Sequence, residues 1–266
     1  MVNLKKYFFC IIYILTIQVA SACVCHPEIF DNYIRADFIG EVKILKVYKN
    51  ESPDYHHYRI DVEPRTVYKG EKQNVLYVFG SNIENNWTSC DLTVHENETW
   101  LVYTTKDTRG NFTFGMCTKS HKTSFSQYDS LVYNSRGFSN FFDYCKKESN
   151  FLKAAKKHDS AFDKQHFINQ KPTVLGLYEY LQTFKGLTFE TDLGLYKIVF
   201  NEDFSVKKVV IVKSMGRRFD KKLVIFIKKQ DFSYLKRIKQ KIPPNSYMPL
   251  LIQFYEKERF LANMLV

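Results

Sequence analysis

The sequence Cys23-Val24-Cys25 follows the small residues Ala20-Ser21-Ala22, a pattern at which signal peptides are cleaved. Cleavage there makes Cys23 the first residue of the mature chain. A free α-amino group has a pKa of about 8, so part of it is neutral at pH 7 and can donate a lone pair. With the carbonyl oxygen of the same residue it forms a bidentate ligand. Cys23 is therefore a candidate ligand, in trans, for the open position of another protein's catalytic zinc.

The first 22 residues have the composition of a signal peptide. Lys5 and Lys6 form a short basic start, and residues 7–19 are largely apolar. The apolar run is too short to span a bilayer comfortably, and small residues rather than a basic stop follow it. We therefore predict that residues 1–22 are removed on export. The mature chain is then secreted and extracellular, or it is held in a periplasm or cell envelope.

In a bacterium the same residues have a second interpretation, as a lipobox that directs a lipid onto Cys23. Ala20 is a poor residue at the position where leucine is usual. Lipidation and metal chelation exclude each other, because a thioether occupies the sulfur of Cys23 and acylation occupies its amine. The intact mass of the mature protein separates the two interpretations.

Positive charge is in excess along the chain, most of all between Lys207 and Lys241. The formal net charge is +11, or +9 without Lys5 and Lys6. For an exported protein this excess favours an anionic surface or an acidic protein as partner, and no nucleic acid is expected. A solvated basic face that binds nothing accounts for the same charges.

Cysteine content points to disulfides, because an exported chain meets oxidants. Cys10 leaves with the signal peptide. Since the number that remains is odd, one thiol stays free or pairs with another chain. The five remaining cysteines are Cys23, Cys25, Cys90, Cys117 and Cys145.

The first half of the mature chain has the pattern of short strands separated by turns. Apolar residues such as Val42 and Ile44 alternate with polar ones, and runs rich in Asn, Asp and Gly lie between the strands. We predict five or six antiparallel strands and little helix, which favours a small barrel of the OB type. The predicted strands are residues 36–48, 58–68, 75–79, 99–104 and 112–116.

Several of these features together resemble the tissue inhibitors of metalloproteinases. That family begins Cys-x-Cys, and it continues into an Ile-Arg-Ala-x-Phe-x-Gly strand that is similar to residues 33–40. Val67-Tyr68-Lys69-Gly70 is similar to the turn after the family's second strand. The resemblance covers about residues 23–125 and implies an OB-fold domain of the netrin-module type.

The resemblance also implies a disulfide framework and an activity. Cys90 and Cys117 match the family's partners of its first and third residues, which gives the disulfides Cys23–Cys90 and Cys25–Cys117. In the family, the amine and carbonyl of the first cysteine chelate the protease zinc, and the residue in the place of Val24 enters the adjacent substrate pocket. Each disulfide closes a long loop, and a chain-entropy description gives it a stabilisation of roughly 4 kcal/mol. The cysteines could therefore serve stability alone, so a purely structural use stays open.

The chain departs from that family in two respects. No cysteine lies between Cys25 and Cys90, so the third disulfide of the inhibitory domain lacks its first partner. Cys145 stands where the other partner would be, and we predict that it is unpaired. The family's disulfide-rich C-terminal domain is not recognisable either.

Four Asn-x-Ser/Thr sequons lie in the first domain, mostly in predicted turns. In a eukaryotic host they are expected to carry N-glycans. The four asparagines are Asn50, Asn86, Asn97 and Asn111.

The pattern changes to a helical one over residues 126–185, where charge is dense and glycine rare. We predict one or two helices, at residues 138–142 and 151–161, that connect the barrel to the rest of the chain. His158 and His166 have no third ligand nearby in the sequence. No resident metal or cofactor is therefore predicted.

The last segment, residues 186–266, has the order β-β-α-β of a two-layer α+β domain. It is similar in pattern to the C-terminal domain of TonB-type energy transducers, over about residues 190–257. Because the Pro-rich linker and uncleaved anchor of a TonB protein are missing, only the fold of a protein-binding module is implied. The likeness is carried by Val199-Phe200, Asp203, residues 209–212, Ser214-Met215-Gly216, Asp220 and residues 250–254.

The sequence thus predicts a mainly β protein with an α+β second half. An OB barrel (residues 23–125) is followed by a helical connector (126–185) and a small α+β domain (186–266). The expected function is inhibition of a zinc metalloprotease. The alternative is a non-inhibitory exported binding or assembly module, which a lipoprotein would also suit. No enzyme motif such as G-x-S-x-G, H-E-x-x-H or a Walker loop occurs, so no enzymatic activity is expected.

Overall fold

The computed structural model describes Cys25 and residues 28–50, 56–83, 88–124, 135–168, 174, 176–237, 241–255 and 259–262. The predicted signal peptide, Cys23, Val24 and Asn86 lie outside the described residues. Within the described ranges, no helix is both long enough and apolar enough to cross a membrane.

Five strands close into a barrel in the first half of the chain. Their order is β1-β2-β3-β5-β4, and β4 pairs back onto β1. A short sixth strand, β6, pairs with β4. This closed barrel confirms the predicted OB-like class. The strands are β1 Phe38–Val47, β2 His57–Lys69, β3 Val75–Phe79, β4 Thr99–Lys106, β5 Phe112–Phe114 and β6 His121–Lys122.

One pair of neighbouring strands in the barrel is parallel, so the prediction of antiparallel strands throughout was wrong for that pair. β3 and β5 run in the same direction, with Tyr77 opposite Thr113 and Val78 opposite Phe114. The other neighbouring pairs are antiparallel. A closed ring of five strands cannot alternate in direction all the way round, because five is odd. At least one pair has to be parallel.

The barrel interior is filled by side chains that alternate along the strands. On β2, Tyr58, Ile60 and Val62 are buried, while the residues between them are more exposed. Val42 and Ile44 are buried in the same way on β1. The barrel is therefore a packed core rather than an open channel.

A short helix, α1 (Ile29–Arg35), precedes the barrel where the resemblance implied the start of a strand. Phe30, Tyr33 and Ile34 are all buried. A strand would point Phe30 and Tyr33 to opposite faces, whereas a helix points residues three and four apart to the same face. The helix therefore buries these side chains together, and β1 begins only at Phe38.

The connector contains one long helix, α2 (Ser135–Lys157), where the sequence predicted shorter stretches. It leads into a 3-10 turn, Asp159–Ala161. A further short helix, α3 (Leu177–Gln182), follows. Phe151 of α2 packs edge-to-face on Phe30 of α1, with ring centroids 4.9 Å apart. The long helix thereby fixes α1 against the barrel.

The C-terminal part is an antiparallel sheet of order β10-β9-β7-β8 with helix α4 packed against it. Phe219, Leu223 and Ile227 of α4, spaced four residues apart, are buried. The sequence predicted three strands here, and the structure adds a fourth, β10. The elements are β7 Leu193–Phe200, β8 Val206–Lys213, α4 Arg217–Lys228, a 3-10 turn Ser233–Arg237, β9 Tyr247–Tyr255 and β10 Arg259–Ala262.

One apolar core joins the barrel, helix α2 and the C-terminal sheet. Strand β7 divides its side chains between two cores, since successive residues point to opposite faces. Leu195 and Val199 belong to the core shared with α2 and the barrel, whereas Ile198 belongs to the core shared with α4. The shared core contains, among others, Tyr33, Tyr103, Phe151, Leu195 and Leu251.

Candidate functional site

A disulfide between Cys25 and Cys117 ties the segment before α1 to the chain just after β5. The two Cα atoms are 5.0 Å apart, and the cysteines are 92 residues apart in sequence. Cys90 is disulfide-bonded as well. Its partner lies outside the described residues, as do Cys23, the partner implied by the resemblance, and Val24. The chain is thus attached to the barrel two residues after the predicted mature terminus.

Two large apolar side chains, Phe79 and Met116, are exposed beside these cysteines; we call them the apolar patch. Each is 42% exposed. Phe79 packs against Gly115, where an added Cβ would lie 2.8 Å from the Cβ of Phe79. The carbonyl of Phe79 accepts a hydrogen bond of 3.3 Å from the amide of Leu92. Because aromatic and methionine side chains are enriched at protein interfaces, the apolar patch is a candidate contact surface.

Three of the predicted glycosylation sites are described, and they differ in how freely the asparagine is presented. Asn97 is exposed in a turn with a φ of 67°, a conformation that asparagine tolerates. Asn50 is half-buried, and its backbone amide donates to Oδ1 of Asn82 at 2.9 Å. Asn111 donates its Nδ2 to Asp107 at 3.3 Å. Of these three, Asn97 is the most accessible.

A buried carboxyl group, Glu148 of α2, lies where this helix meets the barrel. Tyr103 of β4 donates its hydroxyl to Oε1 of Glu148 at 2.6 Å. Oε2 of Glu148 lies 3.5 Å from Nε2 of His121 on β6, and the buried Lys119 adds a positive charge nearby. We call the following group the Glu148 cluster: Tyr103, Lys119, His121, Tyr144, Cys145 and Glu148.

His121 connects this carboxyl group to the free cysteine. Its Nδ1 lies 3.1 Å from the backbone carbonyl of Lys119. Since a carbonyl only accepts hydrogen bonds, Nδ1 carries a proton and Nε2 is directed elsewhere. Nε2 lies 3.6 Å from Sγ of Cys145, which is a free thiol. The imidazole therefore bridges Cys145 and Glu148, which share one face of α2.

Burial controls protonation in the Glu148 cluster. It raises the pKa of the Cys145 thiol to about 12, and the charge of Glu148 adds to this effect. Burial also raises the pKa of Glu148, although the charges of His121 and Lys119 act in the opposite direction. The thiolate is the nucleophilic form of cysteine. At neutral pH Cys145 is therefore in its thiol form, which is not the nucleophilic one.

Replacing Glu148 by glutamine should change how stability depends on pH. A carboxyl group whose pKa is raised by folding contributes stability that is complete below its ordinary value of 4.5 and is lost as the pH rises through the raised value. Glutamine cannot ionise, so Glu148→Gln should lack this loss. The variant should gain stability relative to the native chain as the pH rises above 4.5, measured as the free energy of unfolding in urea.

Glu98 provides the matched control, because its pKa shifts the other way. Burial alone would raise the pKa of Glu98, but hydrogen bonds from the His95 amide, the Trp100 indole and the Lys122 ammonium lower it. The stability that ionised Glu98 contributes is complete above pH 4.5, and it is lost as the pH falls through the lowered pKa. Glu98→Gln should therefore be less stable than the native chain at pH 7 and converge with it at low pH. Parallel pH curves for Glu148→Gln and the native chain would contradict the first prediction.

Both histidines singled out in the sequence lie within the described residues. Nδ1 of His166 lies 2.7 Å from Oδ1 of Asp163, and His158 lies at the end of α2. In the part of the chain that the structure describes, no group of three or more His, Cys, Asp or Glu side chains could hold a metal ion.

The basic stretch between Lys207 and Lys241 is spread over β8, α4 and the chain that follows α4. Lys207 and Lys208 are exposed on β8, which is an edge strand of the C-terminal sheet. Five basic side chains lie on α4, where Arg217 and Arg218 open the helix, and others follow it, among them Lys229, Lys236 and Arg237. These residues are the candidates for contact with an anionic partner.

Sequence reasoning missed the Glu148 cluster and the apolar patch. One signal for the cluster was present, since Cys145 and Glu148 are three residues apart and so fall on one face of a helix. His121 gave no such signal, because β6 contains only two residues and shows no alternation. Comparison with protein-family models finds no match for this chain, and comparison with curated proteins finds none either.

Proposed function

We propose that the mature chain inhibits a zinc metalloprotease by placing its N-terminus in the active site. The α-amine and carbonyl of Cys23 would displace the zinc-bound water, and Val24 would enter the pocket for the residue after the cleaved bond. The observation that carries this proposal is the Cys25–Cys117 disulfide on a closed five-stranded barrel. The resemblance to the tissue inhibitors of metalloproteinases implies the same combination.

The disulfide supports the proposal because binding a loose terminus is costly. Ordering a residue costs about 1–2 kcal/mol in backbone entropy, which is subtracted from the affinity. With Cys25 joined to the barrel, only Cys23 and Val24 precede the point of attachment. A catalytic zinc keeps one position open for water or substrate. The single residue Cys23 would be enough to fill that position.

The apolar patch supports the proposal by offering contact area next to that point of attachment. Phe79 and Met116 flank the segments that contain the disulfide-bonded Cys90 and Cys117. A few large side chains commonly carry most of the energy of an interface. The rim of the protease active site would cover the patch when the terminus reaches the zinc.

One residue added before Cys23 should weaken inhibition strongly. An extra alanine converts the amine of Cys23 into an amide, which no longer donates its lone pair to zinc. We expect the chain that begins at Cys23 to inhibit at least one member of a zinc-protease panel. The alanine-extended chain should have an inhibition constant about 100-fold higher, the loss of a contact worth roughly 3 kcal/mol, with unchanged thermal unfolding.

A second pair of variants tests the contact surface. Phe79→Ala should weaken inhibition about tenfold. Ile225→Ala, which truncates a side chain on α4 that is 47% exposed, should leave inhibition unchanged. The proposal fails if the chain beginning at Cys23 inhibits no protease of the panel, or if the alanine-extended chain inhibits equally well.

A non-inhibitory role as an exported binding or assembly module is the second candidate, and the edge strand β8 favours it. An edge strand can pair with an extended segment of a partner. Lys207 and Lys208 are exposed on this strand and would favour an acidic segment. The resemblance of residues 190–257 to a TonB C-terminal domain implies the same kind of role. For such a module, neither the alanine extension nor a lipid on Cys23 would matter.

A further inference from the structure

A cavity of about 500 Å³ lies between the start of α4 and the chain that connects α3 to β7. Its volume falls within the range of small-molecule sites, roughly 300–1,000 Å³. The floor is aromatic: the ring centroid of Phe219 is 4.9 Å from that of Phe184 and 5.3 Å from that of Phe189. Leu187, in the wall, is 42% exposed. Phe184 and Phe219 are themselves buried, so Leu187 and the half-buried Phe189 contribute the apolar surface that is open to solvent.

Positive charge surrounds this apolar floor. The exposed side chains of Arg217, Arg218 and Lys222 line the cavity, and Glu190 is its one acidic lining residue. Nζ of Lys222 lies 5.6 Å from the ring centroid of Phe184. The ion pairs among the described residues include none of these four side chains. Two units of positive charge are thus left at the cavity.

The requirements of folding do not account for these cations. Arg217 and Arg218 lie in the first turn of α4, at the positive end of the helix dipole, where cations are unfavourable. Arg218 and Lys222 are four residues apart on the same helix, a spacing at which like charges repel. Both unfavourable terms would be relieved by an anion held among the three side chains.

We propose that this cavity binds a small amphiphile with an apolar body and one anionic head group, such as a long-chain fatty acid. The head group would lie among Arg217, Arg218 and Lys222. The apolar body would lie on the phenylalanine floor and cover Leu187. The site is separate from Cys23 and from the apolar patch, so it does not depend on protease inhibition.

Calorimetric titration of the mature, disulfide-bonded chain tests the proposal with dodecanoate, kept below its micelle concentration. We expect saturable binding of one dodecanoate per chain. Dodecanol, which has the same body without the charge, should bind about tenfold more weakly, because it loses the charge-assisted hydrogen bonds. Acetate, which has the charge without the body, should not bind measurably.

A pair of double variants tests the position of the site. Arg217→Gln/Arg218→Gln should weaken dodecanoate binding about tenfold or more without lowering thermal stability, since these cations oppose the helix dipole. The control, Lys228→Gln/Lys229→Gln, removes the same charge at the other end of α4 and should leave the dissociation constant unchanged. The proposal is overturned if dodecanoate shows no saturable binding, if dodecanol binds as tightly, or if both double variants lose affinity equally.

Discussion

Replacing Cys25 and Cys117 together by serine should lower the free energy of unfolding by roughly 4–5 kcal/mol, the largest effect we expect in this protein. The bond joins residues 92 apart, and a chain-entropy description gives a loop of that length about 4–5 kcal/mol. Folded domains have only about 5–15 kcal/mol of net stability. The variant would therefore lose much of the net stability of the fold, and urea denaturation would detect this as a large shift of the unfolding midpoint.

Cys145→Ser is the matched control for this experiment. Cys145 is a half-buried free thiol, and serine keeps a donor near Nε2 of His121. Its unfolding free energy should stay within about 1 kcal/mol of the native value. All three chains are compared without reductant, so that the disulfide of Cys90 stays intact. The opposite result would be an unfolding free energy of the Cys25→Ser/Cys117→Ser variant that also stays within about 1 kcal/mol of the native value. That result would mean that the unfolded chain is already compact without the bond, so the bond removes little of its entropy.

The same variant bears on the proposed inhibition. At a temperature where it is still folded, the segment before α1 is no longer attached at Cys25. Affinity for the protease should then fall although Cys23 keeps its amine and the bond to Cys90 that the resemblance implies, because the segment between Cys23 and α1 is held less firmly and has to be ordered on binding. A folded variant with undiminished inhibition would show that attachment at Cys25 is not what prepares the terminus.

Elements whose burial follows a local period were predictable from the sequence. Helix α4 (Arg217–Lys228) is the helix of the predicted β-β-α-β order, and it was predictable because Phe219 and Leu223 repeat at helical spacing and lie on its buried face. Helix α1 was not predicted, because its apolar residues are neighbours in the sequence as well as three or four residues apart. That pattern fits a buried strand equally well. Contacts with residues distant in sequence, such as that of Phe30 with Phe151 of α2, favour the helix.

Features that depend on distant residues were not predictable. The hydrogen bond between Tyr103 and Glu148 joins residues 45 apart, and no motif links them. The parallel β3–β5 pair follows from closure of the whole ring rather than from either strand. Pairing within the cluster therefore depends on how α2 packs against the barrel.

Proline in β9 shows how a correct local rule gives an incomplete result. A proline within a strand, such as Pro249, favours an edge position, yet β9 lies between β7 and β10. On one side, Pro249 is opposite Lys197 of β7. On the other side, β10 pairs with residues 252–255 of β9, beyond the proline. The proline thus stands on the part of β9 that β10 does not reach, where a missing N–H removes no bond to that strand.

Replacing Asp220 by alanine should lower the free energy of unfolding by about 3–5 kcal/mol, because the carboxylate serves several donors in the core of the C-terminal sheet. The buried Tyr196 donates its hydroxyl to Oδ1 at 2.6 Å, and the amide of Met215 donates to the same oxygen at 3.2 Å. Ser214 donates its hydroxyl to Oδ2. A buried donor left without an acceptor costs about 1–3 kcal/mol.

Two further variants separate this network from simple loss of packing. Asp220→Asn keeps an acceptor oxygen for Tyr196 and should lose about 1 kcal/mol. Tyr196→Phe removes one of the donors and should also lose about 1 kcal/mol. The cost of Asp220→Ala is expected to come from buried donors that are left without an acceptor. In that case adding Tyr196→Phe should make the variant no less stable, because it removes one of those donors. A strictly additive loss in urea denaturation would instead assign the cost to the cavity left by the side chain.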